Sequence, residues 1–451
     1  MRSRKNRHVK LWLAVVLSVV FWTIGTGFNR QLSADSDETY QGLKLFSEVL
    51  ELVQKNYVDE VASNELIEKA IQGMVRGLDP HSSLLPPDAF KDLHIDTEGK
   101  FTGIGIHITM RDGFVTVISP IEGTPAYKAG IKALDRIIKV DDEPVSELRE
   151  AVKMMRGPKG TKVNVTIARE AAPEPIEFTL VRDVIPIESI KASILEPGYG
   201  YMRVTNFNSG TIDEFEKALA KLEATDPPLK GLVLDFRDNG GGLLDQAIKI
   251  SDVFLDDGLI LSIKGRYNKN TKEFKAHPSE VDRDYPIVAL INGGSASASE
   301  IVVGALQDHK RAVVLGTTSF GKGSVQTVET LREGYGLKLT IARYYTPSGR
   351  SIQAKGIEPD IVVKKRFLDA EDLKGSEDGR LKEKDLKNHL EATPQKKEQK
   401  DTNKKKEAPS IPKEMELLHG PLTPEKLKAD YQVSRALEIL ISYDVLKHLQ
   451  G

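Results

Sequence analysis

The sequence predicts an α/β protein that carries a small β-rich domain and begins with a helical region. Three patterns lead there. Between residues 172 and 364, the apolar strand candidates "GYMRVTNF", "GLVLDFR", "PIVALING" and "RAVVLG" alternate with the helix candidates "TIDEFEKALAKLEA", "LLDQAIKISDVFL" and "SASEIVVGALQDH", an order that gives a mostly parallel sheet. Between 99 and 171 the runs are short and alternating ("GIGIHITM", "FVTVISPI", "RIIKVDD", "KVNVTIARE"), with Gly, Pro and Asp between them, and one helix, "ELREAVKMMRG", joins them. Between 35 and 98, Leu43, Phe46, Val49, Leu50 and Val53 recur at helical spacing, and "ELIEKAIQGMVRGLD" repeats the pattern. The breaker-rich "DPHSSLLPPD" then ends the helical region.

The ends read differently. Arg2, Arg4, Lys5, Arg7 and Lys10 precede the apolar "LWLAVVLSVVFWTIGTGF" at 11–28, so residues 1–34 read as a signal peptide or membrane anchor, with the chain beyond residue 30 exported. Only "LSA", ending at Ala34, resembles a cleavage site, and Leu32 fits it poorly, which favours a retained transmembrane anchor. Residues 365–420, with "QKKEQKDTNKKKE", read as a charged, disordered linker. Residues 421–451 regain helical periodicity through Leu427, Val433, Leu437 and Leu440.

Composition excludes several functions. The 451 residues carry a net charge of −2, so no basic field points to nucleic acid. No cysteine is present, which removes disulfides, thiolate nucleophiles and thiolate metal sites. No histidine pair has metal-ligand spacing, so no metal and no cofactor is expected.

The chemistry gathers in two stretches. "LGTTSFGKGS" (315–324) looks like a phosphate loop, but Gly323 stands where a Walker loop needs Ser or Thr, and the β-favouring "SVQTVETL" stands where a helix is required. A P-loop ATPase is therefore disfavoured. Upstream, "PIVALINGGSASASEIVVGALQDH" runs from a strand through a Gly-Gly turn into a helix, which would expose Ser297 at a helix N-terminus. Ser297 and Glu300 also make a capping box, a purely structural alternative. His309, the nearest histidine in sequence, lies three turns down that helix and offers no triad. Lys322 remains as a base. To serve, its ammonium must be brought by burial well down from its usual value of about 10.4. The turn "LDFRDNGGGLL" places Gly240, Gly241 and Gly242 before a helix, where free N–H groups could receive an oxyanion.

Together "DFRDNGGGLLDQAI", "GGSASASEIVVGALQDHKRAVVLGTTSFGKGSVQT", "LKLTIARYYTPSGRSIQAKGIEPDIVV" and "DYQVSRAL" closely resemble the carboxyl-terminal processing (tail-specific) peptidases, over about residues 38–363 and 423–445. That resemblance implies a crotonase-like peptidase core and a Ser/Lys dyad: Ser297 as nucleophile, Lys322 as general base, Gln326 orienting the lysine and Asp308 in support. It implies an oxyanion hole from the Ala298 N–H and one of Gly240 to Gly242. It also identifies the β-rich domain as a PDZ domain, whose "FTGIGIHI" would bind a peptide carboxylate through Gly103, Ile104, Gly105 and Ile106. Arg156 would couple that pocket to the active site. Leu134 departs from the family, which usually has Gly before Asp135. The expected partners are proteins with exposed C-termini, an envelope adaptor and a second copy of the chain; the expected place is the periplasmic side of the inner membrane. The competing expectation is a catalytically inactive PDZ scaffold.

Overall fold

The computed structural model describes residues 37–169, 172–267, 271–279, 281–365 and 423–450. The chain divides into two compact units, Met1–Val75 and Arg76–Gly451.

In the first unit, α1 (37–56) and α2 (Ser63–Arg76) take up the two predicted amphipathic segments. Along α1, Leu43, Phe46 and Val49 are exposed, together with Tyr40 and Leu52. One expectation is corrected here. Among the described residues no helix is long and apolar enough to cross a membrane, so the transmembrane assignment is withdrawn; the segment that prompted it, 11–28, lies outside the described residues. The linker at 366–420 lies outside them as well.

The second unit opens with β1 (Ser83–Leu85), α3 (Pro87–Glu98) and β2 (Lys100–Gly103). Next comes a five-strand antiparallel path, β3 (Ile106–Arg111), β4 (Phe114–Pro120), β5 (Arg136–Val140), β7 (Lys162–Ala168) and β8 (Ile176–Val181), with the short β6 (Glu143–Pro144) on β5. The helices α4 (Pro125–Ala129) and α5 (Leu148–Met155) complete this domain. Val115, Val117, Ile137, Val165 and Ile167 are fully buried in it, packed with Ala151 and Met155 of α5. The sheet extends past the expected boundary at 171. The change to the α/β pattern after about residue 172 reads as the border, yet β7 and β8 on either side of it pair antiparallel from Lys162↔Val181 to Ile167↔Ile176. The chain then returns as β9 (Asp183–Pro186), which pairs with β2. Entry and exit strands lie side by side, the signature of an inserted domain. At the departure from the family pattern, Leu134 keeps the turn by adopting a left-handed φ of 70°.

The α/β core has a six-stranded sheet ordered β10-β11-β12-β15-β16-β19. These strands are Ile190–Glu196, Tyr199–Val204, Gly231–Asp235, Ile287–Ile291, Ala312–Gly316 and Ile361–Val362. β10 and β11 form an antiparallel hairpin, and the remaining neighbours are parallel, as the alternation predicts. Every residue of β12 and β15 is buried, because both faces are covered. One face packs on α6 (Thr211–Glu223), α7 (Leu244–Asp252) and α8 (Ala298–Asp308) through residues such as Phe215, Ile250 and Val302. The other face, with Tyr201, Val233, Val288 and Leu290, packs on Val433, Ala436, Leu437 and Leu440. Those four lie on α10 (Tyr431–Gln450), which comes after α9 (Pro424–Ala429). A second sheet holds β13 (Leu259–Gly265), β14 (Lys272–Lys275), β17 (Ser324–Thr330) and the long β18 (Gly336–Tyr345), which also receives β1.

The C-terminal helices are fastened through a buried guanidinium. Arg237 donates to Asp235 at 2.6 Å, to Asp430 at 2.8 Å and to Gln432 at 2.8 Å. Burial pushes the Asp235 carboxyl up, but Arg237 beside it more than offsets this and holds it at about 2. Replacing Arg237 with Leu leaves Asp235 buried without its adjoining guanidinium, held only by the Tyr201 hydroxyl and the backbone N–H of residue 237. The expected cost is about 3–5 kcal/mol in urea unfolding.

Candidate active site

Two turns at the C-terminal ends of neighbouring parallel strands build the site. After β15, Asn292 opens a tight turn: its Oδ1 accepts the Gly294 N–H at 2.9 Å and the Asp238 N–H at 3.0 Å. Its Nδ2 donates to Asp238 Oδ1 at 3.0 Å. The Ser295 hydroxyl donates to Phe236 O at 2.8 Å, and Ser299 Oγ donates to Asn239 O at 2.9 Å. The turn after β12 and the turn after β15 are thus laced into one body.

Ser297 sits at the head of α8 with φ 54° and ψ −112°, a conformation that side chains rarely adopt and that persists only when the surroundings enforce it. The enforcing surroundings include Gly241. A Cβ at Gly241 would lie 2.8 Å from Ala296 O, 2.8 Å from Ser297 Cβ and 3.0 Å from Ala298 N, so only glycine lets the two turns meet. The Gly241 N–H itself donates to Asn239 Oδ1 at 2.9 Å. Of the three glycines, this one has its donor already engaged.

The lysine loop leaves β16 at Gly316 and approaches the serine turn, where the Phe320 N–H donates to Ser295 O at 2.9 Å. Beyond Lys322 the chain enters β17, a strand, and not the helix a phosphate loop requires.

Glu300 connects the two stretches. Its Oε2 accepts the N–H of Ser297 at 2.8 Å and that of Lys322 at 3.0 Å. Its Oε1 accepts the Gly321 N–H at 2.8 Å and the Ser319 hydroxyl at 2.5 Å. The side chain is buried, and burial pushes its carboxyl up to about 7 against the lowering effect of these four donors. Sequence reasoning saw Glu300 only as half of a capping box. The available signal was its setting: it is the one charged residue in "ASEIVVGAL", an otherwise apolar or small stretch.

The other expected residues have separate settings. Gln326, opposite Thr340 in the β17–β18 register, donates from Nε2 to Ser324 Oγ at 2.9 Å and to Thr340 Oγ1 at 3.4 Å. Asp308 ends α8, roughly 16 Å along the helix from Ser297. There it accepts the Ser348 N–H at 2.9 Å and pairs with Arg350, holding the Pro-Ser-Gly turn away from the serine. His309 places Nε2 at 2.7 Å from Leu259 O, away from Ser297.

In the β-rich domain, Gly103 closes β2 and Ile106 opens β3. Between them Gly105 has φ 79°, and its carbonyl accepts the Ile121 N–H and the Thr124 hydroxyl, each at 3.0 Å. Ile104 is buried and its carbonyl accepts the Ala126 N–H at 3.0 Å. β3 is the edge of its sheet, so its outer side can take an added strand. Arg156, just after α5, pairs with Asp92 of α3 at 2.8 Å and lies over the Phe101 ring at 5.3 Å.

An α/β core with a strained serine at a buried helix head, and with an antiparallel β domain inserted before it, defines the class: a serine peptidase bearing a PDZ domain. Comparison with known proteins narrows this. Residues 198–363 match peptidase family S41, residues 102–180 match the PDZ domain, and residues 26–87 match the N-terminal domain of the activating protease CtpB. The chain is 43% identical over 388 residues to the carboxy-terminal-processing protease of Bartonella bacilliformis, covering 83% of this chain and 88% of that one. It is 34% identical over 383 residues to the carboxy-terminal processing protease CtpA of Bacillus subtilis, covering 81% of each. With CtpB of the same organism it shares 35% over 338 residues, covering 73% of this chain and 69% of the relative. The chain belongs to the carboxy-terminal processing proteases, and it is a serine-type endopeptidase whose PDZ domain binds substrate C-termini.

Proposed function

We propose that Ser297 is the nucleophile of this endopeptidase and Lys322 its general base. The observation that carries the reading is the single Glu300 oxygen that accepts both backbone N–H groups, which anchors the two residues to one point. In the proposed reaction neutral Lys322 takes the Ser297 proton as Oγ attacks the peptide carbonyl. The lysine then protonates the leaving amine, and water hydrolyses the acyl-enzyme. Gln326 orients the lysine. The Ala298 N–H, with that of Gly240 or Gly242, receives the oxyanion; Gly241 is disfavoured because Asn239 already engages its N–H. Asp308 supports the site at a distance by fixing Ser348 and Arg350.

The substrate's terminal carboxylate is assigned to the loop Gly103, Ile104, Gly105 and Ile106, with the tail added along β3. Arg156, at the junction of the PDZ helix with α3, is assigned the coupling of tail binding to catalysis. The basic N-terminus and its apolar run support export to the cell envelope. The exposed apolar residues of α1 support association with a second copy. The alternating strands and helices support a crotonase-like reading of the core. The test is a trap. Ser297→Ala expressed in the native envelope and recovered with its captives should hold proteins whose C-termini are free and shared in chemistry. Captives held without regard to their C-termini, or held equally after the Gly103–Ile106 loop is replaced, would contradict the tail-binding role.

A further inference from the structure

The turn "DPHSS" lies far from the lysine in sequence yet packs against β18, the strand paired with the one that carries Gln326. Asp79 is 3% exposed, although no function has so far been given to it. Its Oδ1 accepts the His81 N–H at 2.8 Å, the Ser82 N–H at 2.9 Å and the Thr340 hydroxyl at 3.1 Å. Its Oδ2 accepts the Ser82 hydroxyl at 2.6 Å. Burial pushes this carboxyl up, but the hydrogen bonds from Ser82, His81 and Thr340 outweigh burial and hold it below the usual range. It is therefore ionised at neutral pH and can only accept.

That fixes the protons around it. A threonine hydroxyl has one proton, and Thr340 gives it to Asp79. Thr340 Oγ1 can then only accept from its other neighbours, the Gln326 amide at 3.4 Å and the Ser82 hydroxyl at 3.5 Å. Ser82 likewise spends its proton on Asp79, and its oxygen accepts the Thr340 N–H at 3.1 Å. One orientation of the Gln326 amide satisfies this inventory. The nitrogen faces Thr340 and Ser324, and the carbonyl oxygen occupies the opposite end. An amide that offers its oxygen accepts an N–H of the lysine amine and leaves the amine lone pair free for the Ser297 proton, whereas one that offers its NH₂ would donate to that lone pair and occupy it.

We propose that Asp79, through the Thr340 hydroxyl, sets which end of the Gln326 amide is offered to Lys322, so that the 79–82 turn is a positioning element of the catalytic centre. The proposal rests on the reading of Gln326 as the residue that orients Lys322. It makes Asp79 and Thr340 positioning residues and not catalytic ones.

A double-mutant cycle on the full chain tests it, with casein hydrolysis for kcat and KM and thermal unfolding in parallel. Thr340→Val keeps the shape and removes the hydroxyl, and it should lower kcat roughly tenfold with KM and Tm little changed. Thr340→Ser should restore most of the rate. In a Gln326→Ala background, itself slowed, Thr340→Val should cost less than about twofold more. Asp79→Asn gives an independent arm should Thr340→Val lower Tm, and it should show the same dependence on Gln326. An equal loss from Thr340→Val in both backgrounds, or full activity of Thr340→Val, overturns the proposal. Loss of the dyad reading would look different, because Lys322→Ala would then retain activity.

Discussion

Lys322→Arg is expected to abolish proteolysis, lowering kcat by at least about 10⁴, in a chain that still folds. Ser297→Ala should do the same. The arginine variant is the sharper of the two. Guanidinium keeps the length and positive charge of the side chain but cannot give up its proton near neutral pH, so it cannot act as a base. If Lys322 served only as a structural cation, arginine would rescue it. The backbone around Lys322 does not depend on the side chain: the N–H is held by Glu300, and the carbonyl accepts the Tyr344 hydroxyl. An inactive scaffold would show no proteolysis to lose, and a nucleotide-binding protein would lose binding instead.

Glu300→Gln should have the second largest effect. The four donors divide evenly between two oxygens, Ser297 and Lys322 on one, Ser319 and Gly321 on the other. An amide must turn its NH₂ toward one of these pairs, whichever way it is flipped. Leaving one or two buried N–H groups unsatisfied, one alone if the Ser319 hydroxyl turns to accept the NH₂, should cost about 1–4 kcal/mol in urea unfolding and lower kcat by roughly a hundredfold or more, because the anchor shared by Ser297 and Lys322 is lost or weakened. The pH dependence carries a sign that separates this group from others. The folded-state value of about 7 lies above the ordinary 4.5, so between these pH values the folded chain keeps a proton that the unfolded chain has released. Stability from this group is therefore full below 4.5 and declines as pH rises toward about 7, by up to about 3 kcal/mol. Wild-type stability should fall relative to Glu300→Gln across that window and run parallel above it. Activity should move the opposite way. A protonated carboxyl turns one acceptor into a donor, so it either reverses its bond with the Ser319 hydroxyl or releases a backbone N–H, and it holds Ser297 and Lys322 with less charge; turnover should rise with pH through the same window.

Much of this arrangement was legible in the sequence. The strand–helix alternation gave the parallel sheet because buried parallel strands must be continuously apolar, as "GLVLD" and "IVALI" are. The border placed at about 172 fell short of β8, because a change of pattern marks a turn as readily as a domain border; only the pairing of β7 with β8 separates the two. Leu134 holds a left-handed φ of 70° at a turn that glycine usually serves, a conformation sequence pattern does not reveal. Glu300 read as a helix cap because its backbone partner at Ser297 is local, while its other partners, from Ser319 to Lys322, come from a loop that only tertiary folding brings near. Asp79 and Thr340 were not legible at all. Their relation to Gln326 depends on β17 and β1 both pairing with β18, a long-range register that sequence spacing does not contain.

The Ser297/Lys322 dyad is probed most sharply by the rate at which a fluorophosphonate labels Ser297, read by mass spectrometry across a range of pH in the wild type and in Lys322→Arg. A working dyad gives adduct at Ser297 alone, a rate that rises with pH as the base is deprotonated, and a fall of roughly a hundredfold or more in the arginine variant. Labelling of Lys322→Arg at the wild-type rate, or labelling at a serine other than Ser297, would refute the dyad.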